Sequence, residues 1–122
     1  MNVPLLDLNA QYASILPKIK QEIEKVFDSH HYILGPQVKE FEKMAANYCE
    51  CKHTIGCASG TDALVLALKA LDIKEDDEVI TTTFTFFATA GAISRVGAIP
   101  VFVDILPDTF NLNPEKIEKA ND

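Results

Sequence analysis

The sequence predicts an α/β fold in which N-terminal helices precede a β-α-β-α-β unit with a mainly parallel sheet. Apolar residues recur at helical spacing through the first 50 positions, whereas short β-branched runs alternate with helical patterns after them. Alternation of strands and helices favours parallel strands joined by right-handed crossovers. We therefore expect a single partial domain, with a helical segment over residues 1–50 and an α/β, cofactor-binding segment over residues 51–122.

The composition is typical of a globular protein with an acidic surface. Of the 122 residues, 48% are hydrophobic and 24% are charged, which argues against disorder. The formal net charge is -7, and we expect no nucleic-acid partner because phosphate backbones are bound by clustered lysine and arginine. An odd, small number of cysteines favours a reducing compartment. With neither a signal-peptide pattern nor an apolar run of about 20 residues, a cytoplasmic protein without membrane contact is expected.

Two helices are predicted in the first segment. The first has Ser14 as its capping residue and Pro17 in its first turn, and its apolar face carries Ile15, Ile19, Ile23 and Val26. The second begins at Pro36, because proline suits a first helical turn. Its inward side chains are predicted to be Val38, Phe41, Ala45 and Tyr48.

Three strands and three helices are predicted in the second segment. The strands cover residues 53–58, 78–83 and 99–104, and the helices between them cover residues 61–71 and 86–96. Gly97 is expected to end the second of these helices. A last helix begins at Asn113 and Pro114. Because the chain stops soon afterwards, we expect it to be the N-terminal part of a longer protein.

The turn at Ser59, Gly60 and Thr61 is suited to holding a phosphate. It joins a predicted strand to a helix, whose first turn has unpaired N–H groups and a partial positive charge. Gly60 permits close approach of a ligand, and the hydroxyls of Ser59 and Thr61 add donors. The same residues also make an ordinary helix cap with no ligand, so the turn alone leaves both interpretations open.

The end of the second predicted strand is rich in aromatic and hydroxyl side chains. Phe84, Phe86 and Phe87 alternate there with threonines. A flat cofactor needs an aromatic face to stack on and hydroxyls at its edge. The alternative is packing between sheet and helix, which we expect for at least two of the three rings.

Taken together and in order, these residues resemble the DegT/StrS-type pyridoxal-phosphate-dependent aminotransferases, which act on nucleotide-linked sugars. The resemblance covers almost the whole chain. Its matching stretches are Leu6-Asp7-Leu8 with Gln11-Tyr12, Tyr32-Ile33-Leu34-Gly35-Pro36 with Phe41-Glu42, Ser59-Gly60-Thr61-Asp62-Ala63-Leu64, Asp77-Glu78-Val79-Ile80-Thr81, Thr83-Phe84-Thr85-Phe86-Phe87-Ala88-Thr89 and Gly97-Ala98-Ile99-Pro100-Val101-Phe102-Val103-Asp104.

The resemblance implies a role for particular positions. Gly60 and Thr61, with Ser59 beside them, would bind the phosphate of pyridoxal 5'-phosphate, and Phe86 would stack on its pyridine ring. Residues 32–36 would lie near the mouth of the active site and the subunit interface of a homodimer. The whole protein would transfer an amino group, with glutamate as donor, to a nucleotide-linked keto sugar in polysaccharide biosynthesis.

The resemblance also implies catalytic groups that these residues do not include. In the family, the Schiff-base lysine and the acid that pairs with the pyridine nitrogen both lie well after the segment that these 122 residues match. None of the ten lysines here suits the role of the Schiff-base lysine. We therefore name no catalytic residue and expect the chain alone to be inactive. Two alternatives stay open: a sugar dehydratase of the same family, in which a histidine replaces the lysine, and a non-catalytic α/β module that binds a phosphorylated ligand.

A metal site is not expected. Cys49, Cys51 and His53 are close in sequence, but no second pair of ligands follows at the spacing of a zinc site. We interpret the cysteines as structural.

Overall fold

A computed structural model describes residues 4–120 of the chain. Within these residues the backbone forms two units, a first unit that ends at Gly56 and a second unit that begins at Cys57. The first unit contains two α-helices, and the second contains two β-strands and three further α-helices. In chain order the elements are α1 Asn9–Ser29, α2 Pro36–Tyr48, α3 Gly60–Ala70, β1 Glu78–Thr81, α4 Ala88–Arg95, β2 Ile99–Phe102 and α5 Pro114–Ala120.

Helix α1 begins earlier than the sequence predicts. The Asp7 carboxylate accepts a hydrogen bond from the Asn9 N–H at 2.9 Å, which supplies an acceptor to the first turn well before Ser14. The Ser14 hydroxyl donates to the Gln11 carbonyl at 3.0 Å, so it bonds back into the helix and is not an N-cap. The predicted cap is therefore wrong, and Pro17 lies inside the helix.

Helix α2 begins at Pro36, as predicted. Gly35 precedes it in a crowded position, because a Cβ atom there would overlap the carbonyl oxygen of His31. The predicted inward face is wrong for two of its members, since the side chains of Phe41 and Tyr48 are exposed. Ala46 is the one buried apolar residue described in this helix.

Residues 53–58, predicted as the first strand, form no strand. The Gly56 N–H donates to the Glu42 carboxylate at 2.8 Å, where a strand would donate to a neighbouring backbone, and Ile55 is exposed. A strand needs a neighbour that completes its backbone hydrogen bonds, and no residue from 4 to 120 pairs with this segment. The predicted β-α-β-α-β unit is thus corrected to β1-α4-β2.

The sheet of the second unit is parallel, as predicted. Its register pairs Glu78 with Ile99 at one end and Thr81 with Phe102 at the other. Each strand ends two residues before its predicted limit, although the Val103 N–H still donates to the Thr81 carbonyl at 2.8 Å.

Helix α4 packs on both strands and on α3. The buried side chains of this unit are Thr81, Ala92, Ile93, Ala98 and Val103. They come from α4, from the end of β1 and from the two residues that flank β2, so a small core lies between α4 and the sheet. Because α4 begins at Ala88, two residues later than predicted, Phe86 and Phe87 precede the helix.

Glycine and asparagine delimit the helices of the second unit as the sequence predicts. Gly97 follows α4 with φ +86°, and its N–H donates to the Ser94 carbonyl at 3.0 Å. The left-handed conformation at this position favours glycine. At the start of α5 the Asn113 side chain accepts a hydrogen bond from the Glu115 N–H at 3.0 Å.

Candidate functional site

Helix α3 begins with a complete N-cap. Ser59 is extended, with φ -160° and ψ 165°, and its hydroxyl oxygen accepts the Asp62 N–H at 3.1 Å. The same hydroxyl donates to the Asp62 carboxylate at 2.9 Å. The capping interpretation of this turn therefore holds. The N–H groups of Gly60 and Thr61 lie in the same first turn, where the helix itself offers no acceptor.

Gly60 faces open space. A Cβ atom built on it meets no atom within 4 Å besides its chain neighbours and the backbone of its own helix, and its φ is not positive. Neither backbone conformation nor crowding by the described residues therefore requires glycine here. Thr61, the next residue, is partly buried.

Thr61 and Phe86 line the same cavity. Its volume is about 530 Å³, and its wall is mostly apolar. The remaining lining residues come from the start and the outer face of α4: Phe87, Ala88, Ala90, Gly91, Ser94 and Arg95. The structure thus brings together two of the four residues that the sequence singles out, at the first turn of α3 and at the segment before α4.

The three phenylalanines after β1 have different surroundings. Phe84 stacks on Phe110, with ring centroids 5.5 Å apart and an interplanar angle of 26°. The Phe87 ring lies beside Gly91, 3.3 Å from the position of a Cβ atom on that glycine. Phe86 borders the cavity and is 77% exposed. Phe86 and Phe87 both line the cavity with Thr61 and are both exposed, and they differ in that the Phe87 ring lies against Gly91.

Asp62 and Arg95 add charge beside this turn. Arg95 Nη1 lies 3.7 Å from Asp62 Oδ1, and the two side chains are 63% and 41% exposed. The sequence analysis does not identify this pair. Serine followed three residues later by a carboxylate is the spacing of a capping box, and that signal could have pointed to Asp62. The partner across helices, Arg95, has no local signal.

Asp104 borders a different cavity from the one that Thr61 and Phe86 line. Its carboxylate accepts a hydrogen bond from Lys116 Nζ at 2.5 Å, and this bond with the lysine charge lowers the pKa of Asp104 below its ordinary value. The pair borders a cavity of about 400 Å³ that Thr83, Phe102, Val103, Lys119 and Ala120 complete. No residue of this cavity lines the one that contains Thr61 and Phe86.

The cysteines are not core residues. Cys49, Cys51 and Cys57 are all exposed, so none of the three packs in a buried core. The Cys51 thiol donates to the His53 carbonyl at 3.3 Å. Among residues 4–120, no three histidine, cysteine or acidic side chains are placed to hold a metal ion. None of the helices described there is both long and apolar enough to cross a membrane.

Comparison with known proteins assigns the chain to a family. The model of the DegT/DnrJ/EryC1/StrS aminotransferase family matches residues 14–121. A pleiotropic regulatory protein of Geobacillus stearothermophilus is 52% identical over 120 residues, which are 98% of this chain and 32% of that protein. The UDP-2-acetamido-2-deoxy-3-oxo-D-glucuronate aminotransferase of Pseudomonas aeruginosa is 45% identical over 97% of this chain and 33% of its own length.

Solved structures show the same fold. DesV of S. venezuelae has a TM-score of 0.92 at 44% identity, over 97% of this chain and 32% of DesV. NtdA from Bacillus subtilis, solved with bound cofactor PMP, has a TM-score of 0.84 at 35% identity, over 98% of this chain and 28% of NtdA. The chain therefore spans about a third of the length of the relatives it matches, and it corresponds to the N-terminal part of aminotransferase structures.

Proposed function

Because the chain belongs to the DegT/DnrJ/EryC1/StrS aminotransferase family, we propose that it binds pyridoxal 5'-phosphate as part of a sugar aminotransferase. The whole protein transfers an amino group, with glutamate as donor, to the keto group of a nucleotide-linked sugar. Relatives named as aminotransferases of such sugars support this substrate class. One observation carries the local proposal: Thr61, which follows Gly60 in the first turn of α3, lines one cavity with Phe86.

The phosphate binds at the first turn of α3. The N–H groups of Gly60 and Thr61 and the Thr61 hydroxyl supply its donors, and the positive end of the helix favours its charge. The empty space beside Gly60 leaves room for an anion against the backbone. Charge-assisted hydrogen bonds of this kind contribute roughly 1.5–3 kcal/mol each.

The Ser59 hydroxyl has a more limited part than the family resemblance implies. Its single proton is donated to Asp62, so in this arrangement it offers the phosphate no donor. Ser59 contributes by holding the first turn of α3 in place, which presents the neighbouring N–H groups to the ligand.

The pyridine ring stacks on Phe86. Phe86 lines the cavity and is 77% exposed. Phe84 is already stacked on Phe110, and the Phe87 ring, which also lines the cavity, lies against Gly91. An aromatic stack contributes about 0.5–1.5 kcal/mol beyond the apolar area it buries. Phe86 therefore orients the cofactor, and the α3 turn anchors it.

When bound, the cofactor would supply the chemistry of amino transfer from the donor to the keto carbon. The residues described here bind and orient it. All ten lysines of the chain are exposed, whereas a lysine that attacks a carbonyl is activated by desolvation. We therefore propose that the chain by itself transfers no amino group.

We also propose that the whole protein is a homodimer, with residues 32–36 near the active-site mouth and the subunit interface. This link is apolar and open, since Tyr32, Ile33 and Leu34 are all exposed. Leu34 has φ 48°, and Pro36 begins α2 directly afterwards, so the backbone of the link is tightly constrained.

Titration with pyridoxamine 5'-phosphate tests cofactor binding. This probe is preferable to the aldehyde form because it does not react with the exposed lysines. We expect saturable binding by isothermal titration calorimetry, and Phe86→Ala should weaken it about three- to tenfold, as expected for a lost stack. Phe84→Ala is the matched control, because it removes the same side chain from a stack within the protein.

Equal loss of affinity in Phe84→Ala and Phe86→Ala, or no loss in either, would contradict the assignment of Phe86. For the whole protein, glutamate-dependent amination of a nucleotide-linked keto sugar is the expected activity. Loss of water from the sugar without amination would instead favour the dehydratase.

A further inference from the structure

The turn that is proposed to bind a phosphate already holds a carboxylate. Asp62 Oδ2 accepts the Ser59 hydroxyl at 2.9 Å, and Asp62 is the third residue of α3. The positive end of the helix favours this negative charge as it favours any anion. A phosphate that carries nearly two negative charges at neutral pH would meet a like charge in the same turn of the helix.

Arg95 is placed to compensate for that charge. Its Nη1 atom lies 3.7 Å from Asp62 Oδ1, on the carboxylate oxygen that Ser59 does not use. Arg95 is the single arginine of the sequence, and it is the one charged residue among those lining the cavity of Thr61 and Phe86. The carboxylate therefore has two partners, a hydroxyl on one oxygen and a cation on the other.

We propose that Arg95 is a positioning residue for cofactor binding that acts through Asp62. By offsetting part of the charge of the Asp62 carboxylate, it lessens the repulsion that a phosphate at Gly60 and Thr61 would meet. Asp62 in turn fixes the Ser59 hydroxyl and the first turn of α3. This inference rests on the proposed binding of the cofactor phosphate at that turn.

A double-mutant cycle tests the inference. The affinities of pyridoxamine 5'-phosphate and of pyridoxamine, which lacks the phosphate, are measured by calorimetry for the unaltered chain and its variants. Arg95→Gln should weaken binding of the phosphorylated ligand about three- to fivefold, the size of a partly exposed charge interaction, and leave pyridoxamine unaffected. Asp62→Asn should bind the phosphorylated ligand at least as tightly as the unaltered chain.

The decisive variant is Arg95→Gln combined with Asp62→Asn. With no carboxylate to neutralise, loss of the arginine should have no further effect, and the affinity should equal that of Asp62→Asn alone. The residue-62 N–H still donates to Ser59 in Asp62→Asn, so the cap of α3 is kept. Far-UV circular dichroism of each variant verifies that the helices are intact.

Lys69→Gln is the matched control, because it removes one positive charge from the last turn of α3. It lies about 12 Å along the helix from the first turn, beyond the reach of a screened charge. The inference is overturned if Lys69→Gln weakens binding as much as Arg95→Gln. It is also overturned if Arg95→Gln weakens binding equally with and without Asp62→Asn, since Arg95 would then contact the ligand directly. If the unaltered chain does not prefer the phosphorylated ligand, the proposed function fails as well.

Discussion

The first and second units differ in where they keep their apolar side chains. In the first unit, Ala46 is the one buried apolar residue among those described, and large side chains of α1 such as Ile23 and Phe27 are exposed. In the second unit, Ile93 of α4 and Val103 after β2 are buried, although other apolar side chains such as Phe102 are exposed there. The difference shows that helical periodicity predicts which side of a helix is apolar, but not whether another element of the same chain covers it.

The largest expected loss of stability comes from a substitution in the core of the second unit. Ile93→Ala should lower the free energy of unfolding by about 2–4 kcal/mol, because it removes a side chain that is 3% exposed. Ile23→Ala makes the same chemical change in α1, where the side chain is 47% exposed, and should cost less than about 1 kcal/mol. Urea unfolding followed by far-UV circular dichroism measures both. Equal losses would mean that the two units do not differ as described.

Two glycines of the second unit provide a smaller contrast. Gly97→Ala should lower stability by about 1–2 kcal/mol, because φ is +86° and the new Cβ atom lies 3.2 Å from the Glu75 Cα atom. Gly60→Ala should leave stability unchanged or raise it by up to about 1 kcal/mol, because the site is open and alanine favours a helix. Thermal unfolding of the two variants compares them, and a loss of stability in Gly60→Ala would show that the turn needs glycine for folding.

The smallest effect concerns the Asp104–Lys116 pair and its dependence on pH. The lowered pKa of Asp104 means that the pair stabilises the fold above the unfolded pKa of about 3.9. That contribution is lost as the pH falls through the lower folded value. Lys116→Gln should raise the pKa of Asp104 toward its ordinary value, and Lys119→Gln should not. Titration of the Asp104 carboxyl carbon by NMR measures the shift, and an unchanged pKa in Lys116→Gln would contradict the pairing.

Local signals in the sequence predict local structure well. The start of α2 at Pro36, the stop after α4 at Gly97 and the start of α5 at Pro114 follow from the backbone preferences of single residues. The strand over residues 53–58 is wrong because β-branched residues indicate an extended segment but cannot supply its neighbour. Ser14 fails as a cap because Asp7 serves the first turn of α1 earlier in the chain.

The candidate site is also predictable only in part, because some of its contacts join residues that are far apart in the sequence. Gly60, Thr61 and Phe86 follow from a strand–helix turn and from the family resemblance, and the structure places Thr61 and Phe86 on one cavity. Their roles toward a cofactor remain predictions. The link from Ser59 through Asp62 to Arg95 depends on how α3 packs against α4, and no spacing in the sequence encodes that packing.

Binding of pyridoxamine 5'-phosphate to Gly60→Ala tests the central claim most directly. Apart from its chain neighbours and the backbone of its own helix, the added methyl group meets no protein atom within 4 Å, so it lies in open space beside the proposed phosphate donors. We expect the affinity for pyridoxamine 5'-phosphate to fall at least about tenfold, the loss of one charge-assisted hydrogen bond, while the affinity for pyridoxamine stays the same. If Gly60→Ala binds the phosphorylated ligand as tightly as the unaltered chain does, the phosphate does not lie against this turn.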